Sequence, residues 1–495
     1  MKTRIYLLLF IVSCFGCSDF LEEKSGDEVR PASVEDLEQL LLGSGYGNTH
    51  NMYYCTEIFT DNIVSNGVTY SVHQTAHDKN KWKYSWDEKM FTESGGGHDP
   101  AFWQAPYEGI LGCNLVLDNL DDMSGDSRLR ESLRGEALTL RAWYYLHLVN
   151  FFGIAYNQGS PETDLGVPLK LNSIVTGDYF TRNTVGEVYA RIEQDLLEGN
   201  RLLTENDYKR DYFRMGHLAA KAILSRVYLY MENWDKALVY ADSVLQTKAD
   251  LLDLNTLAWK GISDLRNRKV GSVYTIINPD EIIWGRELND GFVNEAWYIK
   301  NPFSVSDDLW GMYDKSLYKE YVSGKTEDIR GILYFSWGQD MGALLTGGEM
   351  NFRDGIMKGL EDYGGYQGIR TAELYLNRAE VYARKYLEDG DEACRKAALA
   401  DLKELRRHRY NNAFTYDELD ITDGQVLLDF CLAERRKELC GETNHRWCDL
   451  RRLGLTVKHV LVENGKTEYE KDMARYALPI PEEILKYNPG LVQNK

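Results

Sequence analysis

Residues 80–86 read Asn-Lys-Trp-Lys-Tyr-Ser-Trp, an alternation that in an extended segment sets Trp82, Tyr84 and Trp86 on one face. Three flat rings in a row offer an apolar platform to the C–H face of a sugar ring. In the alternative arrangement the same rings pack a loop onto a scaffold while Lys81 and Lys83 face water. Cys440, His445 and Cys448 carry metal-ligating atoms. Their spacing lacks the close pairs of a zinc site and no fourth ligand is obvious, so they read as a packed structural segment with no metal. Asp389-Gly390-Asp391 and the run from Asp420 through Asp423 to Gly424 lack the ligand ladder of a calcium loop and read as solvated turns. No Gly-x-Ser-x-Gly elbow, Walker loop, dinucleotide fingerprint or His-Glu-x-x-His occurs. A pair of carboxylates for glycoside hydrolysis stays open, because 77 acids offer many pairs. Arg141, Arg226 and Arg378 lie in helices rich in Ala and aromatic residues. A buried guanidinium needs a carboxylate, and Glu136, Glu373 and Glu380 are the expected partners.

These residues must be held by a folded body. The 495 residues carry 57 Lys and Arg against 77 Asp and Glu, a net charge of −20, which argues against a nucleic-acid partner. A composition 43% hydrophobic and 27% charged is that of a folded chain. The 33 Tyr and 11 Trp exceed what a core requires and suit a surface that holds sugars, peptides or partner proteins. Lys2 and Arg4 precede an apolar run over residues 5–12, followed by Ser13-Cys14-Phe15-Gly16-Cys17. This is a signal peptide over residues 1–16 with a cysteine at its cut, the pattern of lipoprotein processing. Residues 11–13 make Cys14 the better-placed cysteine, while Gly16 supplies the small residue before Cys17. No later stretch is long and apolar enough to cross a membrane. The other cysteines (Cys55, Cys113, Cys394, Cys431, Cys440 and Cys448) are too sparse for a disulfide scaffold.

Helical patterning dominates. Residues 135–150 are apolar nearly all round, which marks a buried helix. Thr184 and Glu187 form a capping box, and Val188, Ile192, Asp195 and Leu196 continue its helix. Helical stripes follow at 220–231, 234–244, 372–383 and 392–409. Small Ala faces alternating with Tyr and Leu let helices pair closely, the logic of tetratricopeptide-like hairpins. The expected fold is mainly α: irregular helix pairs with long loops and short strands inserted at 50–112 and 251–368. Strands are expected at 273–277 and 282–284. Loops of this length are usually functional.

Several segments resemble the SusD/RagB family of outer-membrane nutrient-binding lipoproteins. Cys17-Ser18-Asp19-Phe20-Leu21 is similar to its mature start, which favours Cys17 as the lipidated residue. Ile110 to Asn114 with Val116-Leu117 resembles its I-x-x-x-N-x-V-L helix. Gly135-Glu136-Ala137 with Leu140 to Tyr145 resembles its most recognisable helix. Arg370-Thr371-Ala372-Glu373 with Arg378-Ala379-Glu380, and Glu434-Arg435-Arg436 through Asp449 to Arg452, resemble its later signatures. Ile480-Pro481 and Asn488 to Leu491 are similar to its close. Cys448 before Asp449, and Thr443-Asn444 in place of a Gly-containing turn, depart from the pattern.

The resemblance implies one domain over residues 17–495, with helical repeats in 17–250 and loop insertions and closing helices in 251–495. It implies a non-catalytic lipoprotein on the outer membrane, facing the exterior, with a covalent lipid on Cys17 as its sole attached group. Such a protein binds a glycan and caps a SusC-like TonB-dependent transporter. The family's ligand loops lie early and before the residue-369 helix, so Trp297, Tyr298, Tyr363 and Tyr366 join Trp82, Tyr84 and Trp86 as candidate ligand residues. Trp310 is a poorer candidate, since residues 309–313 read as a packed helix start. A lipoprotein glycoside hydrolase and a peptide- or protein-binding helical scaffold are the rival readings.

Overall fold

The computed structural model describes residues 31–47, 56–68, 74–92, 101–208, 211–257, 279–287, 302–313, 327–338, 352–356, 358, 360–361, 364–412 and 419–494. In the N-terminal half the helices are α1 (Val34–Leu40), α2 (Gln74–Tyr84), α3 (Ala101–Asn119), α4 (Ser127–Phe152), α5 (Val185–Glu205), α6 (His217–Tyr230) and α7 (Trp234–Leu245). Two short helices, α8 (Asp307–Gly311) and α9 (Arg330–Leu333), lie among the insertions. The closing helices are α10 (Thr371–Asp389), α11 (Glu392–Arg407), α12 (Gly424–Leu439), α13 (His445–Arg452) and α14 (Glu482–Tyr487).

Each long helix begins where its sequence dictates. Thr184 caps α5 by accepting from the Glu187 amide while the Glu187 carboxylate accepts from the Thr184 amide, so two otherwise orphaned N–H groups are satisfied. The buried residues of α5, among them Val188, Ile192, Leu196, Gly199 and Leu203, recur at three- and four-residue spacing. They pack on α4, which is buried on every side from Thr139 to Phe152. Helices α6 and α7 pair in the same way, as do α10 and α11, and α10 also lies against α7 and α12. The result is the expected helix-pair scaffold, running through both halves of the chain over one continuous core.

The strands are short and antiparallel. β1 (Ile63–Ser65) pairs with β3 (Phe303–Val305), and β2 (Ile282–Glu287) pairs with β7 (Gly364–Arg370), which also pairs with β6 (Leu360–Glu361). β4 (Phe335–Gly338) pairs with β5 (Phe352–Ile356), and β8 (Thr456–Val462) with β9 (Lys466–Asp472). The strand expected at 282–284 is the start of β2; that expected at 273–277 lies outside the described residues. A second, smaller core of Leu254, Ile282, Val305, Leu309, Trp310, Tyr313 and Phe335 sits under these insertions. Trp310 is packed there as expected.

The embedded arginines are all paired, though two choose other partners than expected. Arg226 holds Glu373 through two bonds of 2.6 Å. Arg141 instead forms a two-bond fork with Asp195 at 2.7 and 2.9 Å and donates to Asn114. Glu136 stands five residues before it on the same helix, about 140° around the axis, and faces Arg214. Arg378 holds Asp401 and Asp242, while Glu380, two residues on and facing another side, takes Arg452.

Candidate functional site

The segment from Lys81 to Trp86 is not extended. It forms the last turn of α2 and the turn beyond it, so the alternation does not give Trp82, Tyr84 and Trp86 one shared outer face. Tyr84 is 1% exposed and Trp86 3% exposed. Both lie parallel to the imidazole of His459 at centroid distances of 4.0 Å, one on each side of it. The Trp86 indole N–H donates to the Phe59 carbonyl at 3.2 Å. His459 bridges two segments: Nδ1 lies 2.6 Å from the Tyr84 carbonyl and Nε2 2.9 Å from the Thr60 carbonyl. Burial lowers the pKa of this ring below its ordinary value against the pull of the two carbonyls. The packing alternative therefore holds for Tyr84 and Trp86. Lys83 does not face water: it is buried, its ammonium 5.6 Å from the Phe102 ring.

Trp82 differs. It is half-buried at the edge of the core, and the Lys81 ammonium lies 5.4 Å from its ring. Lys81 also bonds Glu463 at 2.8 Å and lies 3.6 Å from Asp78. Among the described residues, donor atoms of His77, Asp78 and Glu463 gather within 4.8 Å of one another. Lys81 is already the cation of that group.

Trp297, Tyr298 and Tyr363 lie outside the described residues, while the strands on either side of them in sequence, β2 and β3 for the first two and β6 and β7 for the third, are described. β2 ends at Glu287 and β3 begins at Phe303. β3 pairs with β1, where Asn66 bonds the Pro302 carbonyl at 2.7 Å and the Ser304 hydroxyl at 2.8 Å. His77 of α2 stacks on Phe303 of the same strand. Tyr366 lies in β7 directly across from Glu287. The β1–β3 pairing and the His77–Phe303 stack thus bring α2, β1 and β3 together, and β2 pairs with β7, from distant positions in the sequence.

What fixes β2 and β7 is a buried charge network. Arg370, at the end of β7, holds Glu281, Glu438 and Glu442. Arg409 holds Glu281 and Glu438, and Arg330 holds Asp328, Glu434 and Glu438. Lys358 bonds Glu442, and Lys437 bonds Asp328 and Glu434. Five cations thus face five carboxylates with little water. Burial opposes the charge on Glu438, but Arg409, Arg370 and Arg330 override it and hold its pKa well below the usual carboxylate range. Glu434 is held down to about 2 by Lys437, Arg330 and Arg406 against the same burial. Each partner removed would leave an uncompensated charge, so the network specifies where the insertion strands sit. It is structural chemistry, in which Asp328, Glu434, Glu438 and Glu442 are held ionised by the cations beside them.

The three residues Cys440, His445 and Cys448 do not converge on one point as ligands. The His445 nitrogens face Arg226 and Arg435 at 3.4 Å each, and burial with these cations holds its pKa well below the ordinary value. Burial pushes both thiols up to about 11. A void of about 10 Å³ lined by Trp143, His147, Asn150, Arg226, Tyr230 and Cys448 has room for roughly one water and none for a sugar.

Sequence reasoning missed His459. Its signal was its place in β8, where Val457, His459 and Leu461 alternate inward. A histidine at an inward strand position needs partners, and flat rings with backbone carbonyls supply them.

Residues 19–229 match a family described as starch-binding and associating with the outer membrane, and residues 361–495 match the SusD family. SusD-like protein P2 of Formosa agariphila is 23% identical over 529 aligned residues, covering 100% of this chain and 99% of that protein. Among solved structures, a SusD-like carbohydrate binding protein from Bacteroides vulgatus superposes with a TM-score of 0.63 at 21% identity, over 93% of this chain and 98% of that one. A laminarin binding SusD-like protein superposes with a TM-score of 0.58 at 20% identity, over 93% and 96%. At such identities the structures speak for the fold. With matches in order at both ends of one continuous helical scaffold, the chain belongs to the SusD/RagB family.

Proposed function

We propose that this chain is a non-catalytic cell-surface glycan receptor, tethered to the outer membrane by a lipid on Cys17, that hands its ligand to a SusC-like TonB-dependent transporter. The observation that carries the reading is the helical scaffold of a family described as starch-binding, with Trp82 half-buried at the edge of its core. Trp297, Tyr298, Tyr363 and Tyr366 are proposed to join Trp82 in holding the ligand. Flat aromatic rings suit a polymer with flat apolar faces and many hydroxyls. The family description, starch-binding and associating with the outer membrane, agrees with that ligand class and that location, and no described helix is long and apolar enough to cross a membrane.

Incubation of the purified chain with a panel of polysaccharides tests the reading. Saturable binding without release of new reducing ends is expected. New reducing ends make the chain a hydrolase, and binding of peptides with no binding of any glycan makes it a peptide receptor. Mass spectrometry of the N-terminal peptide is expected to find the lipid on Cys17, and a lipid on Cys14 overturns that assignment.

A further inference from the structure

Asn-Gly occurs twice in the chain, at Asn66-Gly67 and at Asn464-Gly465. Such a pair carries a reaction of its own. The main-chain nitrogen of the glycine can attack the side-chain carbonyl carbon of the asparagine before it, because no Cβ stands in the way. Two conditions govern the attack. The asparagine side chain must be free to swing onto the backbone, and the glycine N–H must be unbonded and open to water.

The two pairs are placed oppositely. Asn66, just after β1, is half-buried; its backbone amide donates to the Pro302 carbonyl at 2.7 Å and its side-chain amide to the Ser304 hydroxyl at 2.8 Å. Gly67 is pressed onto β8, where a Cβ would meet Val462 Cγ1 at 2.9 Å and the Val462 carbonyl oxygen at 3.1 Å. Asn464 and Gly465 are both exposed, in the turn between β8 and β9. The pairing of Val462 with Lys466 closes that turn, and the Glu463 amide donates to the Gly465 carbonyl at 3.0 Å. Among the described residues nothing bonds the Asn464 side chain or the Gly465 N–H, and nothing lies within 4 Å of a Cβ built at Gly465. The hairpin is fixed and its tip is free, as exposed tips of small and polar residues commonly are.

We propose that Asn464 is a site of spontaneous deamidation, which leaves an aspartate or an isoaspartate linkage at the tip of the β8–β9 hairpin. In the first step the Gly465 nitrogen bonds to the Asn464 side-chain carbonyl carbon while the bond from that carbon to the side-chain nitrogen breaks. The Gly465 amide proton leaves with that nitrogen as ammonia. Water then opens the cyclic imide. Opening at the side-chain carbonyl gives aspartate, and opening at the main-chain carbonyl gives isoaspartate, which lengthens the backbone by a carbon. Either product adds a negative charge beside Glu463, which with Asp78 holds the Lys81 ammonium next to Trp82. The charge where the hairpin meets α2 thus grows with the age of the molecule.

The test is timed incubation of the purified full chain at mildly alkaline pH, followed by peptide mass spectrometry at both pairs. Asn464 is expected to convert over days, about tenfold or more faster than Asn66, whose reaction must wait for local opening. In urea, where neither pair is held, the two are expected to convert at similar rates. Asn464→Gln is expected to stop the growth of the more acidic species on anion exchange, while Asn66→Gln leaves it as in wild type. An Asn464 amide that outlasts the Asn66 amide, or a native ratio of rates no larger than the ratio in urea, overturns the inference.

Discussion

The indole of Trp86 lies flat on the imidazole of His459, with ring centroids 4.0 Å apart and planes inclined by 12°. Tyr84 covers the other face at the same distance, so three rings from the end of α2, the turn after it and β8 make one buried stack. Rings that complete a core stack serve stability first. Tyr84→Ala and Trp86→Ala are expected to cost about 3–5 kcal/mol each in urea unfolding, and His459→Ala about 2 kcal/mol or more. A variant Trp86→Ala as stable as wild type contradicts the stack.

The charge network sets the pH dependence. Carboxylates whose folded pKa is depressed contribute stability above their unfolded value of about 4.3 and lose it as pH falls through the folded value. Glu434 and Glu380, both at about 2, and Glu438, held well below the usual carboxylate range, are in this class. His445, held neutral by burial and its cations, adds a shallower loss that begins as the unfolded ring protonates near pH 6.5. The urea midpoint is therefore expected to slip gently from pH 7 to 5 and fall steeply from about 4.5 towards 2. A midpoint unchanged to pH 3 would show that the network is not ionised as drawn.

The helical scaffold was legible because its signals are local. The capping box at Thr184 and Glu187, the all-apolar run through α4 and the Ala stripes of α6 and α10 each lie within one helix. The aromatic segment at residues 80–86 was not, because alternation and a helix end are hard to separate over seven residues. What decided it was tertiary: His459, more than 370 residues later, takes two of the rings. The same holds for Arg141 and Arg378. That they needed carboxylates followed from burial, but which carboxylate depended on the faces of neighbouring helices. The convergence of β1 with β3 and of β2 with β7 links segments too far apart for any sequence pattern to reveal.

Gly112, in the motif from Ile110 to Asn114, sits where α3 crosses residues 44 and 45. A Cβ there would meet the Ser44 carbonyl carbon at 2.4 Å and the Gly45 nitrogen at 2.5 Å, both backbone atoms. Neither can swing aside as a side chain can. Gly112→Ala is expected to cost about 1–3 kcal/mol or more, read by thermal and urea unfolding. Gly43→Ala is the control, since nothing lies within 4 Å of its Cβ position. Equal stability of the two variants contradicts this close approach.

Arg182 directs all its donors to uncharged oxygens, and burial lowers its pKa to about 10. Its value therefore lies in the fork of the guanidinium rather than in an ion pair. Arg182→Lys keeps a charge but not the fork, and is expected to lose about 2–3 kcal/mol. Hydrogen exchange is expected to quicken in residues 165–184 and 488–494 while α4 stays protected. Uniform exchange changes across the molecule would show that the arginine does not act locally.

The aromatic candidates divide by burial, and that division is measurable. Trp82 is only partly buried, so Trp82→Ala is expected to cost under about 2 kcal/mol of stability. If its exposed part stacks on a sugar, the same change removes roughly 0.5–1.5 kcal/mol of binding, up to about tenfold in Kd. On the proposed site, Trp297→Ala and Tyr366→Ala are expected to weaken binding by similar factors. Trp86→Ala should instead lower stability, with any loss of affinity following the loss of folded protein. Calorimetry with a glycan the wild type binds, on variants whose folded fraction is known from circular dichroism, separates the two classes. Unchanged affinity in folded Trp82→Ala, Trp297→Ala and Tyr366→Ala together would move the ligand off this surface.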